Sequence, residues 1–305
     1  MSFALLEMLF IENTIARVGY VMSSLFWYSC LAVIGIGIAA FSIYKKTHLA
    51  EFSTWIVFYL FATSITWLGE FTVLGLFNSY AYKPNVFNDP WAENLLGHLI
   101  LNSTLWPGTA VLVVAYSLGY SGICLISAGN VLIEYLFVKH GIYEQHWWNY
   151  SMTAGAVILF LAFSKKWFVI MNQRRYGLQR FITLYFVAFV IIHIPFPLLL
   201  LFGKQYYDVD LAENLYLSST TFIFFYHLAE TFIVVAFSYL NRWYWKLAPF
   251  VISFVGQVIL TIRGILIFQD GWNLFYTLLV YTLSITICIL IEKYTLKPLR
   301  YKRLI

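Results

Sequence analysis

Seven ionisable side chains, Glu70, His98, Glu134, His193, His227, Glu230 and Arg263, sit in stretches otherwise built from Leu, Ile, Val and Phe, with Asn102, Asn130 and Gln257 among them. An ionisable group in such surroundings costs about 2.5–3.5 kcal/mol on insertion scales, so its retention points to pairing, ligand contact or proton transfer. His227 and Glu230 are spaced i, i+3 and share one helix face. That spacing suits a metal-ligand pair, a proton relay or a plain structural hydrogen bond. Glu134 and Arg263 each fall about five residues before the end of an apolar run, so equal depth and opposite charge predict an ion pair. The candidate site residues are Glu70, His98, Asn102, Glu134, His227, Glu230 and Arg263. A carboxyl and an imidazole facing one pocket would suit acid–base chemistry. The same groups would equally suit recognition of a polar ligand, and they identify no catalytic residue.

The elements that carry these residues follow from composition. The chain has 305 residues, of which 61% are hydrophobic, 20% aromatic and only 11% charged, and its mean hydropathy is +0.77. Soluble domains carry about 25% charged residues. So few charges exclude an ordinary soluble enzyme, a disordered chain and a nucleic-acid-binding domain. Runs of about 20 apolar residues, enough to cross roughly 30 Å of hydrocarbon, occur near 20–44, 52–78, 95–116, 119–139, 149–168, 181–202, 214–240, 246–268 and 273–292. The expected fold is all-α, a polytopic transmembrane bundle of about nine spans. Pro107, Pro195 and Pro197 should kink or open their spans, most of all at Pro195-Phe196-Pro197 beside His193.

Basic residues set the expected orientation. Fourteen Lys and Arg, including Lys45, Lys46, Lys165, Lys166, Arg174, Arg175 and the tail from Lys293 to Arg303, fall on one side, against four (Arg17, Lys83, Lys139, Lys204) on the other. This predicts an N-terminus outside and a C-terminus in the cytoplasm. Residues 1–12 contain Glu7 and Glu12 and no basic cluster, so a retained first span with an interfacial amphipathic start is expected. Cys30, Cys124 and Cys288 all lie in spans, and neither a disulfide framework nor a metal-ligand spacing is expected of them.

The chain also resembles itself. Ala92–Leu95 matches Ala212–Leu215, Val113–Ser117 matches Val234–Ser238, Gly129–Val131 matches Gly256–Val258, and the Trp148-Asn149 step matches Trp272-Asn273. The matches keep their order at offsets of 120 to 127 residues. They predict a duplicated four-helix unit in parallel orientation, with an N-terminal segment at 1–51, a first copy at 52–180 and a second at 181–305. Parallel repeats of this kind can enclose a substrate path at their interface. The segments Gly141–Asn149 and Gly264–Asn273 resemble those of small four-to-five-span membrane proteins of spore-forming Gram-positive bacteria. That resemblance implies a bacterial cell membrane and brings no activity with it.

His98-x-x-x-Asn102 is similar to a step in rhomboid proteases, but their nucleophile segment is missing. Gly119-Tyr120-Ser121-Gly122 falls on the wrong side to supply it, and the family is set aside. No P-loop, Gly-x-Gly-x-x-Gly, His-Glu-x-x-His or paired-Asp motif is present. Three readings remain. First comes a carrier or ligand-binding protein with a polar cavity between the repeats, open to the outer side, that takes a small molecule or lipid. Second is a non-catalytic membrane partner or assembly subunit. Third is a membrane-embedded enzyme acting on a lipid or isoprenoid. The residues name no cofactor either way and indicate no metal and no nucleic-acid partner; the partners they suggest are the lipid bilayer, a small-molecule or lipid ligand and another membrane protein. Single cysteines at Lys46 and Arg242 should react with impermeant reagent only from the cytoplasmic side, and one at Lys204 only from outside. The reverse pattern would overturn the orientation.

Overall fold

The computed structural model describes residues 3–172, 177–240 and 242–296, with side chains from Ser24 onward. The expected amphipathic face of residues 1–12 and the basic residues at 174, 175 and 297–303 lie outside the described side chains. Among the described residues, nine helical segments are long and apolar enough to cross a membrane, from Ser24–Lys45 to Leu274–Tyr294. The expected all-α membrane bundle is what forms.

The order is α1 (Phe3–Lys45), α2 (Phe52–Glu70) continuing into a π-helical turn (Phe71–Leu76), β1 (Tyr80–Tyr82), α3 (Pro90–Ala115), α4 (Tyr120–Lys139), β2 (Tyr143–Gln145) and α5 (Tyr150–Asn172). A second series follows with α6 (Leu178–His193), α7 (Pro195–Leu201), β3 (Gln205–Tyr207), α8 (Leu215–Ser238), a 3-10 turn (Trp243–Leu247), α9 (Ala248–Ile262), β4 (Leu266–Phe268) and α10 (Leu274–Tyr294). β1 pairs antiparallel with β2, Tyr82 opposite Tyr143, and β3 pairs antiparallel with β4, Tyr207 opposite Leu266. All four strands lie in alternate inter-span connections, hence at one end of the bundle.

Helix starts at that end are fixed by side-chain caps that satisfy otherwise orphaned N–H groups. Asp89 accepts from the amides of Trp91 and Ala92, with Pro90 at the first helical position. Asn214 accepts from Tyr216 and Leu217, Asn149 from Ser151 and Met152, and Asn273 from Phe275 and Tyr276. The eighth span is shorter than its hydropathy suggests. Gly264 takes φ +70° just past Ile262 and ends the helix, and the apolar Leu266-Ile267-Phe268 then pairs as a strand. The sixth span breaks where expected, with α6 ending at His193 and α7 starting at Pro195. Pro107, by contrast, sits inside an α3 that runs unbroken from Pro90 to Ala115.

Packing joins these pieces through small residues and aromatic rings. A Cβ on Gly35 of α1 would lie 2.6 Å from the Leu105 backbone, and one on Gly108 of α3 would lie 2.3 Å from the Gly35 carbonyl. Two bare glycines thus let α1 and α3 touch backbone to backbone. α2 packs on both α3 and α6, and at that seam the Trp67 ring meets His193 edge-on at 5.3 Å. The caps Asp89 and Asn214 also meet, Asn214 Nδ2 donating to Asp89 Oδ2 at 2.7 Å.

Gly35→Leu should force α1 off α3 and lower the melting temperature in detergent, by about 1–3 kcal/mol of stability as for an overpacked core. Gly37→Leu, two residues on, has nothing within 4 Å of its Cβ and should melt like the parent. Equal effects at both positions would contradict the close crossing.

Candidate ligand site

A cavity of about 300 Å³ opens inside the first half, with walls from α2, α3, α4 and α5, the β1–β2 pair and Leu31 of α1. Its lining is mostly apolar and includes the rings of Tyr80, Tyr82, Trp106, Tyr143 and Trp148. Two carboxyls reach it, Glu70 from the last turn of α2 and Glu134 from α4, together with Asn102 and Asn130; none of its lining residues is basic. Glu134 is 9% exposed. Its Oε1 accepts from Gln145 Nε2 at 2.8 Å, while its Oε2 is buried with no hydrogen-bond partner. Glu70 lies among the side chains of Tyr80, Tyr82 and Asn102, which reach its carboxyl. Asn102 Nδ2 is 3.1 Å from His98 Nδ1.

The strand pair brings the phenols to the cavity because alternate residues of a strand share a face. Tyr80 and Tyr82 both turn inward, while Lys83 pairs with Glu144 at the exposed rim. Burial pushes the Tyr80 and Tyr82 phenols well above their ordinary range, and the charge of Glu70 beside them adds to it. They are neutral hydroxyls at any physiological pH. At the rim the Lys83 ammonium, bonded to Glu144, holds that carboxyl below its usual value. Trp148 Nε1 donates to Thr153 Oγ1 at 2.7 Å and fixes the indole as one wall.

The second half carries its own buried polar cluster. Tyr281, 0% exposed, lies with its hydroxyl 2.9 Å from His227 Nε2 and accepts from Gln257 Nε2 at 2.9 Å. Gln257 Oε1 accepts from the Tyr207 hydroxyl at 3.3 Å, and its Nε2 also donates to Tyr226 at 3.2 Å. His227 Nδ1 is 3.1 Å from His193 Nδ1, so one of these nitrogens carries the shared proton. Glu230 Oε2 stands 3.9 Å from His227 Nε2, beyond hydrogen-bond range. Among the described residues no three of His, Cys, Asp and Glu gather as a metal site would need.

Six of the seven sequence candidates therefore fall into three groups. Glu70, Asn102 and Glu134 share the large cavity. His98 stands behind Asn102 and joins Glu70 and His193 around a smaller space of about 50 Å³ at the seam between the halves. His227 and Glu230 belong to the second cluster. Arg263 joins none of them: it is exposed at the end of α9, and no ion pair among the described residues links it to Glu134. Counting spans placed it at equal depth, but the helix ends at Ile262, so Arg263 escapes to the surface. The large cavity lies within one half, and the space between the halves is the smaller one beside His98 and His193. Sequence reading passed over Tyr80, Tyr82, Tyr143 and Tyr281. The available signals were the Tyr-x-Tyr step closely following Glu70 and a Trp-x-x-x-x-Thr spacing at 148–153 that recurs at 272–277.

Compared with protein-family models, curated proteins and solved structures, the chain matches none of them. Its site must be read from its own geometry. Arg263→Gln should leave folded yield and melting temperature within about 0.5 kcal/mol of the parent, as at an ordinary surface position. The double variant with Glu134→Gln should behave as Glu134→Gln alone. A double variant more stable than Glu134→Gln would restore the pairing that the geometry lacks.

Proposed function

We propose that this chain is a multi-pass membrane protein that binds a small amphipathic molecule in the first-half cavity, and that the two halves are tandem copies of one helix–strand–helix–helix–strand–helix unit. The observation that carries the reading is Glu134 Oε2, a carboxyl oxygen buried at the wall of a cavity of about 300 Å³ and left without a protein partner. A buried polar group without a hydrogen bond costs about 1–3 kcal/mol, which a bound molecule would recover. The apolar walls supply the affinity for a ligand body, and the few polar groups set its orientation, as in ligand pockets generally.

Carriage across the membrane is the fuller form of this reading. It is supported by the irregular backbone beside the site: α2 becomes π-helical immediately after Glu70, and α6 breaks immediately after His193. Such breaks are common at functional positions and give a helix two ways to lie. With the basic loops inside, the strand-bearing end and its cavity face the outer side of a bacterial cell membrane.

The test is a thermal-shift panel on the purified protein in lipid nanodiscs, with small amines, alcohols, phenols and carboxylic acids of about ten heavy atoms or fewer. At least one class should raise the melting temperature, since ligand at 100 times its Kd adds about 2.7 kcal/mol. The shift should vanish in Ala156→Trp, whose indole would fill the cavity. A flat panel, or shifts that persist in a folded Ala156→Trp variant, would overturn the binding reading.

A further inference from the structure

On the tandem-copy reading, three pairs of landmarks pick out corresponding residues in the two halves. Asp89 and Asn214 cap α3 and α8, and each helix then clamps the incoming strand, Asn94 Oδ1 accepting from Tyr82 N at 2.8 Å and Ser219 Oγ from Tyr207 N at 2.9 Å. Asn102 and His227 lie the same 13 residues past those caps. Gly141 at φ +68° and Gly264 at φ +70° end α4 and α9, and Glu134 and Gln257 both lie 7 residues before them. The indoles of Trp148 and Trp272 donate to Thr153 and Thr277, and 4 residues beyond each threonine come Val157 and Tyr281.

Matched in this way, these landmarks account for the cavity in one half. In the second half the Tyr281 phenol reaches in between His227 and Gln257 and is bonded by both. In the first half the same two places hold Asn102 and Glu134, and Val157, a cavity-lining residue, is too short to reach them. The polar point that Tyr281 satisfies internally is left for something else.

The change from Gln257 to Glu134 says what that is. Gln257 donates to a neutral hydroxyl. When ionised, Glu134 offers acceptors only, one of them already bonded to Gln145 and the other unpartnered, in a lining that also holds Glu70 and has no basic residue. In its ionised form a carboxyl in low dielectric calls for a cation, and the surrounding Tyr and Trp rings favour one too.

We propose that the first-half cavity takes a small lipophilic amine, its ammonium between Asn102 and Glu134 and its apolar body along Val157, while Tyr281 fills the equivalent place in the second half as a permanent neutral occupant. The inference rests on the ligand-binding reading above and adds the ligand class, the place of its charged group and the residue that keeps the cavity open.

The probes are benzylamine, a cation, and p-cresol, which is the tyrosine side chain itself, with binding measured by calorimetry in nanodiscs. The parent should bind one benzylamine, at least about tenfold more tightly than p-cresol, a difference of about 1.4 kcal/mol. Glu134→Gln should reverse the preference, because the site then matches the second half. Val157→Tyr should abolish binding of both probes. Should that variant not fold, the Glu134→Gln reversal still decides. If other members of the thermal-shift panel bind but benzylamine gains nothing over p-cresol, or if Glu134→Gln leaves the preference unchanged, this inference falls while the binding reading stands. A flat panel removes both.

Discussion

In hydrocarbon, a buried polar group must find its partner inside the protein or in something the protein binds. The two halves of this chain answer that demand differently. Around Tyr281 the answer is internal: phenol, two imidazoles and an amide close on one another with hydroxyl and ring contacts of 2.9 to 3.3 Å. Around Glu134 it is incomplete: Oε2 has no protein partner, and Val157, on the same cavity wall, carries no polar atom to supply one. The cavity is the consequence, and its aromatic walls and acidic lining are what distinguish it from a packing defect.

The scaffold that holds this difference is stiff where it must be. Capped helix starts and two short strand pairs tie the site-bearing end together, and the Asn214–Asp89 bond joins the two halves there. α1 has no counterpart in the second series, yet it takes part in the site. Tyr28 donates to the Ile142 carbonyl at 2.8 Å, Leu31 lines the cavity, and the Gly35–Gly108 crossing draws the helix close enough for both. The first half is therefore closed by a helix that the second half lacks.

Much of the fold was legible in the sequence, because span length and hydropathy report directly on hydrocarbon thickness. The strands were not. Leu266-Ile267-Phe268 is as apolar as any span, and only the positive φ of Gly264 separates it from α9. That one boundary also decides the site: extending the span made Arg263 a buried partner for Glu134, whereas the real end of the helix exposes it. The internal matches rest on short identities, which say nothing of hydrogen-bonding role. Asn94 and Asn214 look equivalent within Ala-Glu-Asn-Leu, yet Asn94 clamps a strand and Asn214 caps a helix. Hydrogen-bonding role, which a sequence does not print, is what Asn214 shares with Asp89, each the cap of a helix. The carboxyls themselves were found because charge in an apolar run is conspicuous; the tyrosines that surround them were not, because aromatics are common throughout the chain.

The central claim is that the first half presents an unfilled polar point to a ligand. It is tested most directly by a high-resolution cryo-EM map of the protein in lipid nanodiscs with benzylamine present. The account predicts density for one small molecule beside Val157, its nitrogen within hydrogen-bond distance of Glu134 Oε2, and none beside Tyr281. A map in which cavity side chains have closed over that point, with Glu134 Oε2 bonded to a protein group, would contradict it.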